Sequence, residues 1–199
     1  MLGVVSEMLS SASAEVYAAD CFLTVIAGYD DEQPELSLDN AKVLTDALFP
    51  DDGLVTVVHE GAVIRTGSEI AHLTVRGEQW TSEPPLDDAE WDAAVDTDVE
   101  FLNDAADVCV VNSVTEVVIR RVVDRAGRYR MRVSAGGRDL ALDDPERHRG
   151  NFTLGDFGRP VGEVRVQLWR SDGPVPHRIR KMDRTGTVIA QMTNPAQFR

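Results

Sequence analysis

Seven carboxylates crowd one stretch of the chain: Asp87, Asp88, Glu90, Asp92, Asp96, Asp98 and Glu100. On an extended backbone alternate residues share a face, so Glu90, Asp92, Asp96, Asp98 and Glu100 form one row, spaced about 6.6–6.8 Å per two-residue step. Such a row approximates the phosphate repeat of an extended nucleic-acid strand and would enter a cationic cleft as its mimic. The competing reading is a solvated acidic face that keeps the molecule soluble. Trp80 precedes the row and Trp91 lies within it, and aromatic side chains commonly anchor protein interfaces. The partner-binding candidates are therefore Trp80, Glu90, Trp91, Asp92, Asp96, Asp98 and Glu100.

Other chemistry is poorly served. His59 and His72, with Glu60 or Glu69, would make a metal or acid/base site only if neighbouring strands brought them together. His148 and His177 have no partner at ligand spacing. Asp30-Asp31-Glu32 and Asp51-Asp52-Gly53 offer hard oxygen ligands but lack the spacing of a calcium loop. There is no Gly-x-Ser-x-Gly, no phosphate-binding Gly-x-x-x-x-Gly-Lys and no Cys-x-x-Cys. Cys21 and Cys109 sit in apolar runs and read as buried, reduced thiols. The expectation is a non-enzymatic protein with no catalytic residue, no metal and no cofactor. The alternative is a domain binding a small molecule or carbohydrate through Trp80, Trp91 and His72, and a third reading is an enzyme built on His59 and His72.

Charge narrows the partners. The 199 residues carry a formal net charge of −14, unevenly placed. Residues 1–107 hold 24 Asp and Glu against Lys42, Arg65 and Arg76, whereas residues 108–199 hold 17 Lys and Arg against 10 acids. Arg120, Arg121, Arg125, Arg128, Arg130 and Arg132, with Tyr129, resemble a nucleic-acid platform, but the overall charge repels a free polyanion. That arginine row is expected to pair with acids of neighbouring strands or of a second copy, so direct nucleic-acid binding is not expected, whereas a homodimer is compatible with the sequence. The longest apolar runs are about eight residues, as in Cys21 to Gly28, against the roughly 20 needed to span a bilayer. With no cationic leader before Glu7, the reading is cytoplasmic and free of membrane contact.

The elements that must position these residues are strands. Val outnumbers Leu 26 to 15, favouring extended backbone. Strands are expected at Val16–Ala27, Leu54–Val58, Ala62–Thr66, Glu69–Arg76, Trp91–Leu102, Val108–Val111, Thr115–Val123, Arg128–Val133 and Glu163–Trp169. In Arg128–Val133 the arginines take one face and Tyr129, Met131 and Val133 the other, which predicts a sheet with one wet and one dry face. Helices are expected at Glu7–Ala14 and Asp39–Phe49. The fold class is all-β, an antiparallel β-sandwich or jelly roll with one or two short helices, forming a single domain over residues 1–199. Within it, residues 1–15 are an N-terminal segment read as helical, 136–160 a long loop, and 174–199 a C-terminal extension that forms a hairpin.

The run Gly127-Arg-Tyr-Arg-Met-Arg-Val-Ser-Ala-Gly-Gly-Arg-Asp139, followed by Glu163-Val-Arg-Val-Gln-Leu-Trp169, resembles a group of small uncharacterised bacterial β proteins. They share a Gly-x-Tyr-Arg-x-Arg strand, a Gly-Arg-Asp turn and a late Gln-Leu-Trp strand, and they are distantly similar to the competence protein J family, which inhibits a DNA-entry nuclease. The resemblance covers Val16 to Trp169 in outline. It implies a β fold and an inhibitor or immunity-type role, with a cationic nuclease or toxin as partner.

Overall fold

A computed structural model of the chain describes residues 6–19, 22–27, 52–59, 61–67, 70–85, 87, 90–103, 105–111, 115–143 and 160–193. The described residues form eleven strands: β1 (Met8–Ala19), β2 (Phe22–Ala27), β3 (Val55–Val58), β4 (Gly61–Arg65), β5 (Ile70–Trp80), β6 (Ala93–Phe101), β7 (Ala106–Val111), β8 (Thr115–Val123), β9 (Gly127–Gly136), β10 (Gly162–Arg170) and β11 (Arg178–Lys181). Two helices are described, α1 (Leu140–Asp143) and α2 (Arg184–Thr193). The protein is mostly β. No helix among the described residues is long and apolar enough to cross a membrane.

A six-stranded sheet runs β1-β5-β10-β9-β6-β11 and a five-stranded sheet runs β3-β4-β2-β7-β8. One buried cluster draws on both. Val16, Leu73, Val75, Val95, Met131, Val133, Val166 and Leu168 come from the larger sheet, and Leu23, Val25, Ile64, Val108 and Ile119 from the smaller. Alternation creates this core: Val164, Val166 and Leu168 point inward while Arg165, Gln167 and Trp169 point outward. Gly77 lets the sheets close up, because a Cβ there would meet Val122 Cγ1 at 2.6 Å. At one seam β1 and β5 approach β8, and at the other β3 and β4 approach β6.

Four expectations need correcting. Met8–Ala19 is a strand, so the helix expected at Glu7–Ala14 does not form; pairing with β5, from Met8 opposite Trp80 to Ala19 opposite Ile70, overrides the helical preference of its alanines. The single strand expected over Val16–Ala27 is two strands lying in different sheets. The sheet is not wholly antiparallel, since β10 runs parallel to β5 from Gly162 opposite Leu73 to Trp169 opposite Trp80. The terminal hairpin is half present: β11 forms, but Arg184–Thr193 is helical. Gly186 is not a turn there; its N–H donates to Asp183 Oδ1 at 2.6 Å, making Asp183 the helix N-cap. Of the loop expected at 136–160, Leu140–Asp143 is helical and 144–159 fall outside the described residues, as does the helix expected at Asp39–Phe49.

Candidate functional site

The acidic row and the arginine row face each other. Antiparallel pairing of β6 with β9 sets Asp96 opposite Arg132, Asp98 opposite Arg130 and Glu100 opposite Arg128. Arg132 Nε donates to Asp96 Oδ1 at 2.8 Å, Arg130 lies 3.3 Å from Asp98, and Arg128 lies 3.1 Å from Glu100. The expected pairing with neighbouring strands is therefore made by Arg128, Arg130 and Arg132. The expected wet face is not: Arg130 and Arg132 are 5% and 1% exposed.

Two distant segments cover that face. Arg132 also donates to Glu83 Oε1 at 2.7 Å and to the Pro84 carbonyl at 3.3 Å, while its guanidinium lies 5.3 Å from the Trp169 ring centre. From the C-terminal side, Arg180 Nε donates to Asp96 Oδ2 at 2.7 Å and Nη2 to Glu83 Oε1 at 3.0 Å. Burial alone would raise the Asp96 carboxyl, but hydrogen bonds from Arg180 and Arg132 outweigh it and hold the group below the ordinary carboxylate value. Beside this cluster Arg165 grips both oxygens of Asp87, at 2.7 and 2.5 Å, over the ring of Trp91. The hydrogen bond from Arg165 lowers the Asp87 carboxyl.

This geometry divides the candidates. Asp96 and Trp91 are buried and cannot meet a partner directly in this arrangement. Trp80 is half-buried, its Nε1 donating to Glu78 Oε2 at 2.9 Å. Asp92 is exposed but accepts the Gly137 N–H at 2.8 Å, and Glu90 is exposed beside it. Asp98 and Glu100 remain at an opening. There β11 pairs only with Ala94, Val95 and Asp96, and the segment before it reaches no further than Asp98, whose Oδ2 accepts the Val175 N–H at 2.5 Å, so among the described residues no strand pairs along Val99–Phe101 on this side. Val57, Val58, His59, Asp98, Val99, Glu100, Leu102 and Arg128 line a cleft of about 320 Å³ at this seam. Val57 and Leu102 are 44% and 57% exposed, so its apolar lining is open to solvent.

The remaining candidates do not converge. His59 follows β3 of the smaller sheet, whereas His72 lies on β5 of the larger, stacked on Tyr17 with centroids 4.4 Å apart. Among the described residues no three His, Cys, Asp or Glu side chains are placed to share a metal ion. Asp52 is structural, its Oδ1 accepting the N–H groups of Leu54 and Val55 at 2.6 and 2.7 Å. Cys109 is buried, while Cys21, Asp30-Asp31-Glu32, Asp51, Glu60, Glu69, Asp88 and His148 lie outside the described residues.

Sequence reasoning placed a Gly-Arg-Asp turn after β9 but missed what that turn holds. Gly137 adopts φ +80, and a Cβ there would collide with the Val161 carbonyl. Next to it Arg138, 2% exposed, donates to the Gly53 carbonyl at 2.7 Å and lies 3.3 Å from Asp183. Asp139 accepts the N–H of Thr185 at 2.9 Å and that of Arg184 at 3.3 Å, so Gly-Arg-Asp is the clasp of α2. The readable signal was Asp183-x-x-Gly186 followed by Val188, Ile189 and Met192 at helical spacing.

No family model and no curated protein matches the chain. Among solved structures it is similar to one titled "Crocagin biosynthetic gene J", at 14% identity and a TM-score of 0.48, over 84% of this chain and 99% of that one.

Proposed function

We propose that this chain is a non-enzymatic, cytoplasmic protein-binding module of β-sandwich build, which receives a cationic protein partner at the cleft between β3 and β6. The observation that carries the reading is the open apolar lining of Val57 and Leu102 beside the carboxylates of Asp98 and Glu100. Apolar burial would supply affinity, and the −14 charge would speed the approach of a cation and select for it. An inhibitor or immunity role against a nuclease or toxin, implied by the resemblance to the competence protein J family, is the specific form proposed.

The test is a pull-down from the native cells at low and high salt with the wild-type chain, Leu102→Glu and Glu100→Lys as baits, followed by titration of the purified partner. A basic protein retained at low salt, released by salt and lost with both variants is expected. Retention unchanged by both variants overturns the site, and absence of any basic partner overturns the reading. A second reading, a small-molecule site, rests on the cleft volume of about 320 Å³, at the lower end for ligand pockets. Thermal stabilisation by a sugar or metabolite that Leu102→Glu abolishes would favour it.

A further inference from the structure

Four strands end the two sheets, and three of them are protected. β11 has four residues, three of them Arg178, Arg180 and Lys181. β3 also has only four residues, and β8 carries Arg120 and Arg121. Short length and charge are the usual means by which an edge strand avoids pairing with another chain. β1 has neither. It runs for twelve residues, and from Met8 to Ala14 it bears no charge. Its inner edge is paired with β5 apart from a bulge at Leu9, and among the described residues no strand is hydrogen-bonded to its outer edge. Residues 8–13 are exposed, Met8 and Leu9 by 47% and 58%.

We propose that β1 pairs antiparallel with β1 of a second copy, joining the two six-stranded sheets into one. The occupant follows from charge. Two chains of −14 repel over most of their surfaces, so they meet most cheaply where both are neutral, and a cationic partner would find nothing to read in Ser10, Ser11, Ala12, Ser13 and Ala14. These small side chains also let a second strand approach to ladder distance.

A twofold axis through an antiparallel ladder sets one residue opposite its own copy. Centring on Ser11 would bring the bulged Leu9 into the ladder two steps from the axis, opposite Ser13. Centring on Ala12 sets Ser11 opposite Ser13 and Ser10 opposite Ala14, with no carboxylates opposed and these pairs clear of the bulge, and is the register assigned.

Sedimentation velocity over a concentration series tests the pairing, with the wild-type chain, the double variant Ser11→Asp/Ser13→Asp and, as a control away from β1, Leu102→Glu. The expected result is a dimer kept by the control and weakened at least about tenfold in Kd by the double variant, whose introduced carboxylates oppose each other across the ladder. Mild oxidation tests the register independently of that variant's folding. Ala12→Cys is expected to cross-link to its own copy beyond the wild-type background, and Leu9→Cys is not. A monomer at every concentration overturns the proposal, as does a dimer indifferent to the double variant. Failure of Ala12→Cys to cross-link overturns the Ala12-centred pairing.

Discussion

Two arginines six positions apart, Arg132 within β9 and Arg138 just past it, are buried to nearly the same degree, 1% and 2% exposed, yet their charges fare differently. Every nitrogen of Arg132 donates a hydrogen bond, to Asp96, Glu83 or the Pro84 carbonyl. Arg138 makes its hydrogen bond through Nη2 to the Gly53 carbonyl, while among the described residues its Nε and Nη1 and the Oδ2 of Asp183 have none. Burial therefore lowers the Arg138 pKa, with Asp183 the foremost opposing charge, and burial raises that of Asp183. At the Arg132 cluster hydrogen bonds reverse the effect of burial and lower Asp96. Proximity of opposite charges is common to both places; completeness of hydrogen bonding is what separates them.

The largest expected effect is at the completed cluster. Asp96→Ala strands Arg132 and Arg180 over a buried hole, and urea denaturation is expected to show a loss of about 3–5 kcal/mol. Arg138→Met should cost less, about 1–3 kcal/mol, because Asp183 can take up a proton once its counter-charge is gone. Equal losses for the two would break the comparison.

The two clusters also mark how far the sequence could be read. Strict alternation in Arg128–Val133 and Glu163–Trp169, and the β-branched runs on either side of Asn112-Ser113, located β9, β10, β7 and β8 because those signals are local. The same alternation cannot tell a solvated face from one covered by ion pairs, since both read as polar. The cover over Arg132 comes from Glu83 and Pro84, 49 and 48 residues away, and Arg180 reaches Glu83 across 97. Parallel pairing of β10 with β5 likewise leaves no local trace. Of the candidate site, Asp98 and Glu100 were legible as a parity row, but Val57 and Leu102 were not, because a cleft between two sheets depends on which edges meet.

Acidity separates the clusters with opposite signs. Asp96 is lowered in the fold, so it contributes stability above the unfolded carboxylate pKa and loses it as pH falls through its folded value. Asp183 is raised, so between the ordinary value near 4 and its folded value the native state holds more protons, and stability falls as pH rises through that window. Unfolding free energies measured across mildly acidic pH should therefore show Asp183→Asn removing a loss of stability on the rising side. A variant curve parallel to the wild type throughout would show that Asp183 is ordinary and the two clusters alike.

The smallest expected effect lies at the end of the same ladder. Glu100 and Arg128 repeat the Asp96 and Arg132 pairing two steps along, 3.1 Å apart, but with the Glu100 side chain 55% exposed and the Arg128 side chain 36% exposed. Solvent screens the pair and each side chain keeps its hydration, so Glu100→Gln should change stability by no more than about 0.5 kcal/mol in a thermal or urea melt. A loss as large as that of Asp96→Ala would mean that hydrogen-bond completeness is not what distinguishes the clusters. Because its loss leaves the fold intact, Glu100 is also the position where charge at the cleft can be altered separately from stability. Binding of a cationic partner that weakens with Glu100→Gln while the melt stays unchanged would assign the acidity of this row to recognition at Glu100 and to structure at Asp96.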